Sequence, residues 1–329
     1  MKALRLHGVG DLRLADEAPP EPGEGELLLR VKAVGLCGSD RHWFVEGAIG
    51  DATVTGPLVL GHELVATVDA GARAGERVAV DPSHPCGGCE ACAAGLPHLC
   101  LNVRFAGHGT TDGGLRELMA WPEKLVFPIS ERIPDSTAPL LEPLGVALHA
   151  LDLAKARPGT TAGVFGCGPL GLLIIQALHA VGASVAIATD VLPHRIEAAR
   201  ALGVPLAVPA GTASPPLDVA FEVAGEEAAL DDAIAATRPG GRVVVVGIPS
   251  DDRTSFTASV ARRKGLTLLI CRRMRPEHLP RAIRLAESGD VDLAALLTAR
   301  YRLDDWPQAF ADLRDRAGHK VVVEPGELE

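Results

Sequence analysis

The chain has 329 residues, room for two domains of ordinary size. Its 42 acidic against 32 basic side chains give a net charge of −10, which argues against an extended nucleic-acid surface. Apolar residues make up 47%, yet no run reaches the ~18 that span a membrane, and seven cysteines, four of them clustered, favour metal binding in a cytoplasmic setting over a disulfide framework.

In chain order, Met1-Lys2-Ala3-Leu4-Arg5-Leu6-His7 is too soon interrupted by charge for a signal peptide. Residues 1–15 alternate apolar and polar, predicting a short hairpin, and Pro19-Pro20-Glu21-Pro22-Gly23 forms a turn cluster. A strand over Glu26–Val34 then leads into Gly35-Leu36-Cys37-Gly38-Ser39-Asp40. Short β runs follow at Leu64–Asp69, Arg77–Val80 and Leu115–Met119, punctuated by Gly and Pro, so the first part reads as all-β and Greek-key-like.

Two groups of residues here carry chemistry. A thiolate, an imidazole and a carboxylate, from Cys37 and from Gly61-His62-Glu63, suit a borderline-soft divalent ion, zinc above others. Glu142, in Leu141-Glu142-Pro143, is a second carboxylate able to close or exchange in that shell. Cys37 alone reads equally well as a buried small apolar residue, and His62 alone as a satisfied core histidine. Three protein ligands leave a fourth position open for water or substrate. The second group is Cys86, Cys89, Cys92 and Cys100, whose short spacing can enclose a tetrahedral zinc with no open position. Four unliganded thiols are the alternative. The loop holds few apolar residues, so a metal would serve as its core.

The middle of the chain changes rhythm. An apolar strand at residues 162–166 runs into Gly166-Cys167-Gly168-Pro169-Leu170-Gly171 and then a helix over Leu172–Val181. This is the G-x-G-x-x-G fingerprint in its proper setting, where glycines let the backbone approach a pyrophosphate at a helix N-terminus. A second strand, Ser184–Thr189, ends at Asp190, placed to accept hydrogen bonds from a ribose and to repel a 2′-phosphate. NAD is therefore favoured over NADP, although Arg195 nearby can accommodate a phosphate. Further strands near Leu206–Val208, Leu217–Val223, Arg242–Gly247 and Gly265–Cys271, with helices at 194–202 and Glu226–Thr237, make about six strands of a doubly wound parallel sheet. The last two strands read as fully buried. From about residue 273 the alternation stops. Helices are predicted over Glu277–Ser288 and Trp306–Arg316, and a closing strand over Lys320–Glu324. The run Arg272, Arg273, Arg275 reads as a solvated face or, just past the last sheet strand, as part of a ligand cleft.

With these motifs, the sequence resembles the zinc-containing medium-chain dehydrogenase/reductase family over essentially its whole length, most of all its polyol branch of sorbitol and L-idonate enzymes. The likeness rests on Gly35–Trp43, Gly47–Asp51, Gly61-His62-Glu63, the four-cysteine lobe, Asn102–Gly107, Asp112-Gly113-Gly114 and Leu141–Leu144. It implies an α/β protein with a GroES-like, β-rich catalytic domain (1–144 and 273–329) and an inserted Rossmann NAD-binding domain (145–272). It implies Cys37, His62 and Glu63 as catalytic zinc ligands, and Glu142 beside that zinc, the third ligand in some relatives. Asp40 would hold the zinc-bound histidine, and Ser39 with His42 would relay the alcohol proton. Gly247-Ile248-Pro249 and Ile270-Cys271-Arg272 would line the nicotinamide. Arg272 and Arg273 would touch the polyol, with Trp43 standing where sorbitol enzymes carry a substrate-contacting tyrosine.

The activity so implied is hydride transfer from a small-molecule polyol or secondary alcohol to NAD, giving a ketose or ketone. A homodimer or homotetramer is expected, with no nucleic-acid or membrane partner. An L-threonine or amino-alcohol dehydrogenase of the same family is the alternative, since those relatives favour Thr where Ser39 stands. A zinc-ribbon nucleic-acid module fits poorly, because Cys86–Cys100 contains neither Lys nor Arg.

Overall fold

The computed structural model describes residues 1–326. The chain forms two compact units. The first comprises Met1–Glu142, Arg275–Glu287 and the chain from Leu293 on; the second comprises Pro143–Met274 and Ser288–Asp292.

In the first unit, the opening alternation gives the antiparallel pair Lys2–Gly8 and Asp11–Asp16. The main sheet has seven strands, in the order Val126–Pro128, Arg77–Val80, Glu63–Val68, Glu26–Gly35, Lys320–Glu324 and Leu297–Arg302, with Leu118–Pro122 also paired to Glu26–Gly35. Its apolar side chains, among them Leu29, Val31, Leu64, Val78, Met119 and Trp121, form one core cluster with Phe310 of the helix Trp306–Asp315. The strand Leu297–Arg302 is absent from the sequence expectation. It lies at the sheet edge and alternates half-buried with exposed residues, so charged side chains mask its period.

A helix, Gly38–Val45, also breaks the all-β expectation. Cys37 precedes it in extended conformation, and the Asp40 carboxylate three residues on accepts the Cys37 backbone N–H at 2.9 Å. That is half of a capping box, an arrangement that stabilises a helix start by ~1 kcal/mol. A cysteine is an unusual residue at this position, which hid the helix from pattern reading.

The second unit is built on a six-stranded parallel sheet in the order Leu206–Pro209, Ser184–Asp190, Thr161–Phe165, Leu217–Glu222, Thr237–Val245 and Thr267–Ile270. Helices Leu141–Ala154, Pro169–Ala180, Pro193–Ala201, Glu227–Ala236 and Ala258–Lys264 run with it, the first beginning at the unit boundary. Buried Phe165, Ile187, Leu217, Ala220, Leu230, Ile234 and Val243 make its core. Strand order reverses between Thr161–Phe165 and Leu217–Glu222, the topological switch beside which doubly wound sheets bind ligands at their carboxyl ends. One expectation is corrected here. The strand Thr267–Ile270 is not fully buried: it is the sheet's last strand, and Ile270 is 72% exposed.

Candidate active site

Antiparallel register assembles the first candidate centre. Glu26–Gly35 pairs with Glu63–Val68 so that Gly35 faces Glu63, which sets His62 and Glu63 beside the turn carrying Cys37. Gly35 is required at that crossing, because a Cβ there would lie 2.2 Å from Glu63 Oε2. The Cys37 sulfur, a His62 ring nitrogen and a Glu63 carboxylate oxygen lie within 4.8 Å of one another.

The chemistry of these donors fits a zinc ion. Glu63 Oε1 is buried and has no hydrogen-bond partner among the described residues, a costly state for a carboxylate oxygen unless a cation is its partner. Burial, then the Glu63 charge, push the Cys37 thiol up to about 12, so a thiolate here forms against a cation. Asp40 is fully buried. Its Oδ1 accepts the Gly61 N–H at 3.2 Å and lies 3.9 Å from His62 Nδ1, where it can orient that ring. Glu142 is not part of the set of three. It is buried near them, and burial raises its carboxyl to about 8; His62 opposes that rise, while Glu63 and Cys37 add to it.

Sequence reading missed Lys320. This lysine is 1% exposed, donates to Glu63 Oε2 at 2.5 Å and to the Leu36 carbonyl at 3.1 Å, and thus fixes one oxygen of Glu63. Burial lowers its pKa, but the charges of Glu63 and Cys37 outweigh burial and raise it overall. A signal was available: a lysine opening the apolar run Val321-Val322-Val323 on a buried strand needs a carboxylate partner.

Of the expected proton relay, Ser39 Oγ is buried and bears on the Cys37 sulfur, opposing the rise of that thiol. On the same helix, His42 Nδ1 donates to Glu46 Oε2 at 2.7 Å, which adds Glu46 to the group. Trp43 is buried, its ring edge-on to His108 with centroids 5.1 Å apart.

In the four-cysteine lobe, sulfur separations are 3.6 Å for Cys89–Cys92, 3.8 Å for Cys89–Cys100 and 3.5 Å for Cys86–Cys100. Bonds of ~2.3 Å to a tetrahedral zinc put sulfurs roughly 3.8 Å apart, far beyond a disulfide's ~2.05 Å. The backbone N–H groups of Cys92 and Leu101 pull Cys89 down to about 6, favouring the thiolate a metal requires.

The second unit carries the dinucleotide fingerprint. Gly166 has φ +110°, and a Cβ there would lie 2.7 Å from the Ala224 nitrogen; one on Gly171 would lie 2.0 Å from the Gly166 carbonyl oxygen. Only glycines permit this turn and its contact with the helix Pro169–Ala180. Asp190 ends the next strand: Oδ2 accepts the Cys167 N–H at 2.8 Å and Oδ1 the Leu192 N–H at 2.9 Å. Each oxygen keeps a further lone pair. Arg195 Nη1 lies 3.8 Å from Asp190 Oδ2 and 3.6 Å from where a Cβ on Gly168 would sit, so the guanidinium lies beside the glycine turn. The loop Gly247-Ile248-Pro249 follows the strand Thr237–Val245. Cys271 is desolvated, which pushes its thiol up to about 12 and disfavours the thiolate. Arg272 is exposed, and Arg273 takes a left-handed φ of 55° with its carbonyl accepting from His149 Nδ1 at 2.8 Å.

A β-rich zinc unit joined in one chain to a dinucleotide sheet defines a metal-dependent dehydrogenase. Residues 23–131 match the model of the alcohol dehydrogenase GroES-like domain, and residues 169–288 that of the zinc-binding dehydrogenases. The chain is 33% identical over 327 residues to sorbitol dehydrogenase of Bacillus subtilis, covering 94% of this chain and 92% of that protein. Among solved structures it is similar to L-idonate 5-dehydrogenase of Escherichia coli K-12, with TM-score 0.91, 25% identity and coverage of 98% and 97%. It is also similar to an alcohol dehydrogenase of E. coli CFT073 complexed with NADH, with TM-score 0.88, 27% identity and coverage of 98% and 99%. The chain belongs to the zinc-binding dehydrogenases of the medium-chain dehydrogenase/reductase family. It is an oxidoreductase whose cofactors are zinc and a nicotinamide dinucleotide.

Proposed function

We propose that this enzyme oxidises a polyol or related secondary alcohol to the ketose or ketone and passes the hydride to NAD. The observation that carries the reading is the Cys37–His62–Glu63 donor set with its orphaned Glu63 oxygen. The likeness to sorbitol and L-idonate dehydrogenases supports the substrate class. Asp190, fixed by two backbone amides at the end of its strand, supports NAD over NADP.

On this reading Cys37, His62 and Glu63 hold the catalytic zinc, and Cys86, Cys89, Cys92 and Cys100 a structural one. The catalytic zinc supplies Lewis acidity toward the substrate hydroxyl, and the nicotinamide accepts the hydride. Asp40 keeps the His62 ring oriented, while Lys320 fixes one Glu63 oxygen and leaves the other for the metal. Ser39 takes the hydroxyl proton and hands it to His42, whose Nδ1 is anchored by Glu46. Glu142, whose carboxyl burial pushes up to about 8, would serve beside the donors as an exchangeable carboxylate. Gly166–Gly171 would hold the dinucleotide pyrophosphate at the start of the helix Pro169–Ala180. Gly247-Ile248-Pro249 and Ile270-Cys271-Arg272 line the nicotinamide half, and Arg272, Arg273 and Trp43 bear on the choice of substrate.

The enzyme is assigned to the cytoplasm, where zinc thiolates stay reduced. Among the described residues, no helix is long and apolar enough to cross a membrane. A homodimer or homotetramer is supported by the open edge strand Thr267–Ile270, with Ile270 exposed, and light scattering of the purified protein tests it. The decisive experiment follows NADH appearance with pentitols, hexitols, aldonates and threonine, with NADP in parallel. Polyol-dependent NADH formation is expected, lost in Cys37→Ala and on removal of zinc. Undiminished turnover in the zinc-free protein, or turnover with threonine alone, overturns the proposal.

A further inference from the structure

Glu222 ends the fourth strand of the parallel sheet, immediately past the point where strand order reverses. It is 2% exposed, and no part of the chemistry described so far uses it. Its Oε1 accepts the backbone N–H of Ala224 at 2.7 Å and of Gly225 at 2.7 Å. Its backbone carbonyl accepts the N–H of Val246 at 2.8 Å and of Gly247 at 3.2 Å. One residue thus ties together two loops that leave the carboxyl ends of neighbouring strands, 223–226 and 246–249.

The loops touch backbone to backbone at this point. A Cβ on Gly225 would lie 2.4 Å from the Ile248 carbonyl oxygen, and a Cβ on Gly247 would lie 2.1 Å from the Gly225 nitrogen and 2.8 Å from Glu222 Oε2. Burial pushes the Glu222 carboxyl up, while the amides of Gly225, Ala224, Glu226 and Gly247 oppose that rise. Beside this clamp, Ile248 leaves an apolar side chain 49% exposed at the ligand-binding end of the sheet. A dinucleotide whose pyrophosphate sits on Gly166–Gly171 and whose adenosine faces Asp190 extends its other half over these two loops.

We propose that Glu222 is a positioning residue for the nicotinamide half of the cofactor, fixing the loops 223–226 and 246–249 as one preformed surface. This rests on the dinucleotide reading given above. The test titrates NADH and ADP-ribose, which lacks the nicotinamide, into the zinc-loaded wild type and Glu222→Gln. The variant keeps the shape but loses the charge that strengthens bonds to backbone N–H groups, so NADH binding is expected to weaken by about ten-fold. ADP-ribose affinity is expected to hold within about two-fold, because its contacts lie on the far side of the switch. A general loss of structure would weaken both ligands alike, and that result overturns the positioning role, as does unchanged NADH binding. If the wild type binds neither ligand, the dinucleotide reading itself fails. Should the variant not fold, amide exchange in the wild type decides: protected Ala224 and Gly225 amides support the clamp, and amides exchanging like open loop overturn it.

Discussion

A lysine that shows 1% of its surface to water is tolerated only beside a carboxylate, and Lys320 has Glu63. Removing one member of a buried pair leaves an uncompensated charge, at a cost of about 3–5 kcal/mol. Lys320→Met is therefore expected to lose stability on that scale when zinc is removed, and to regain more on adding zinc than the wild type does, since the metal then faces both Glu63 oxygens. Urea unfolding with and without zinc measures the two increments; equal increments would show that Lys320 does not bear on the metal. Cys37, His62 and Glu63 were legible in the sequence as a candidate donor set by their residue types, and the fold brings them within 4.8 Å of one another. Lys320 was not, because its meaning depends on a pairing across more than half the chain.

At the level of elements, the helix Glu90–Ala93 of the four-cysteine lobe buries no side chain, and on the proposed reading the metal supplies the lobe's order. Cys100→Ser is expected to lose one equivalent of zinc and to open the stretch between Cys86 and Cys100 to a nonspecific protease. NADH binding should persist, and loss of NADH binding in the variant would count against an independent structural lobe. In the parallel sheet, Asp218 accepts the Thr161 N–H at 2.8 Å and pairs with Arg238, which together hold its carboxyl below the usual range. A carboxyl lowered by folding stabilises the native state above its unfolded pKa, roughly 3.9, and that contribution is lost as pH falls through the folded value. The melting-temperature gap between wild type and Asp218→Asn should stay constant from about pH 5 upward and close below about pH 4. A gap that widens in acid would reverse the assignment. The fingerprint strand, glycine turn and helix were readable because their periods are strong. The helix Gly38–Val45 and strand Leu297–Arg302 were not, one opened by an atypical cysteine cap, the other masked by charged residues on an edge.

On the scale of the whole molecule, the sequence suggested that the dinucleotide domain is a single insertion over 145–272. The second compact unit also recruits Ser288–Asp292. Buried Gln176 shows why: its amide donates to the Asp292 carbonyl at 3.0 Å and accepts the Asp292 N–H at 2.7 Å. A fragment of residues 143–274 lacks that strap and leaves a buried amide unsatisfied, at about 1–3 kcal/mol. Its thermal midpoint should rise when Gln176 is replaced by Leu, whereas the same replacement in the full chain should lower it. Differential scanning fluorimetry of the four proteins is sufficient to decide.

The strand Lys320–Glu324 completes the sheet begun by Glu26–Gly35, and its first residue steadies a carboxylate from the chain's opening quarter. A ribosome releasing this polypeptide therefore delivers the thiol, the imidazole and the acid long before the ammonium group that keeps them company. Until the strand Lys320–Glu324 has been made, the nascent N-terminal portion has an unfinished sheet edge and Glu63 lacks its lysine partner. A chain that stops before Lys320 would thus keep Cys37, His62 and Glu63 while lacking the ammonium group that partners Glu63.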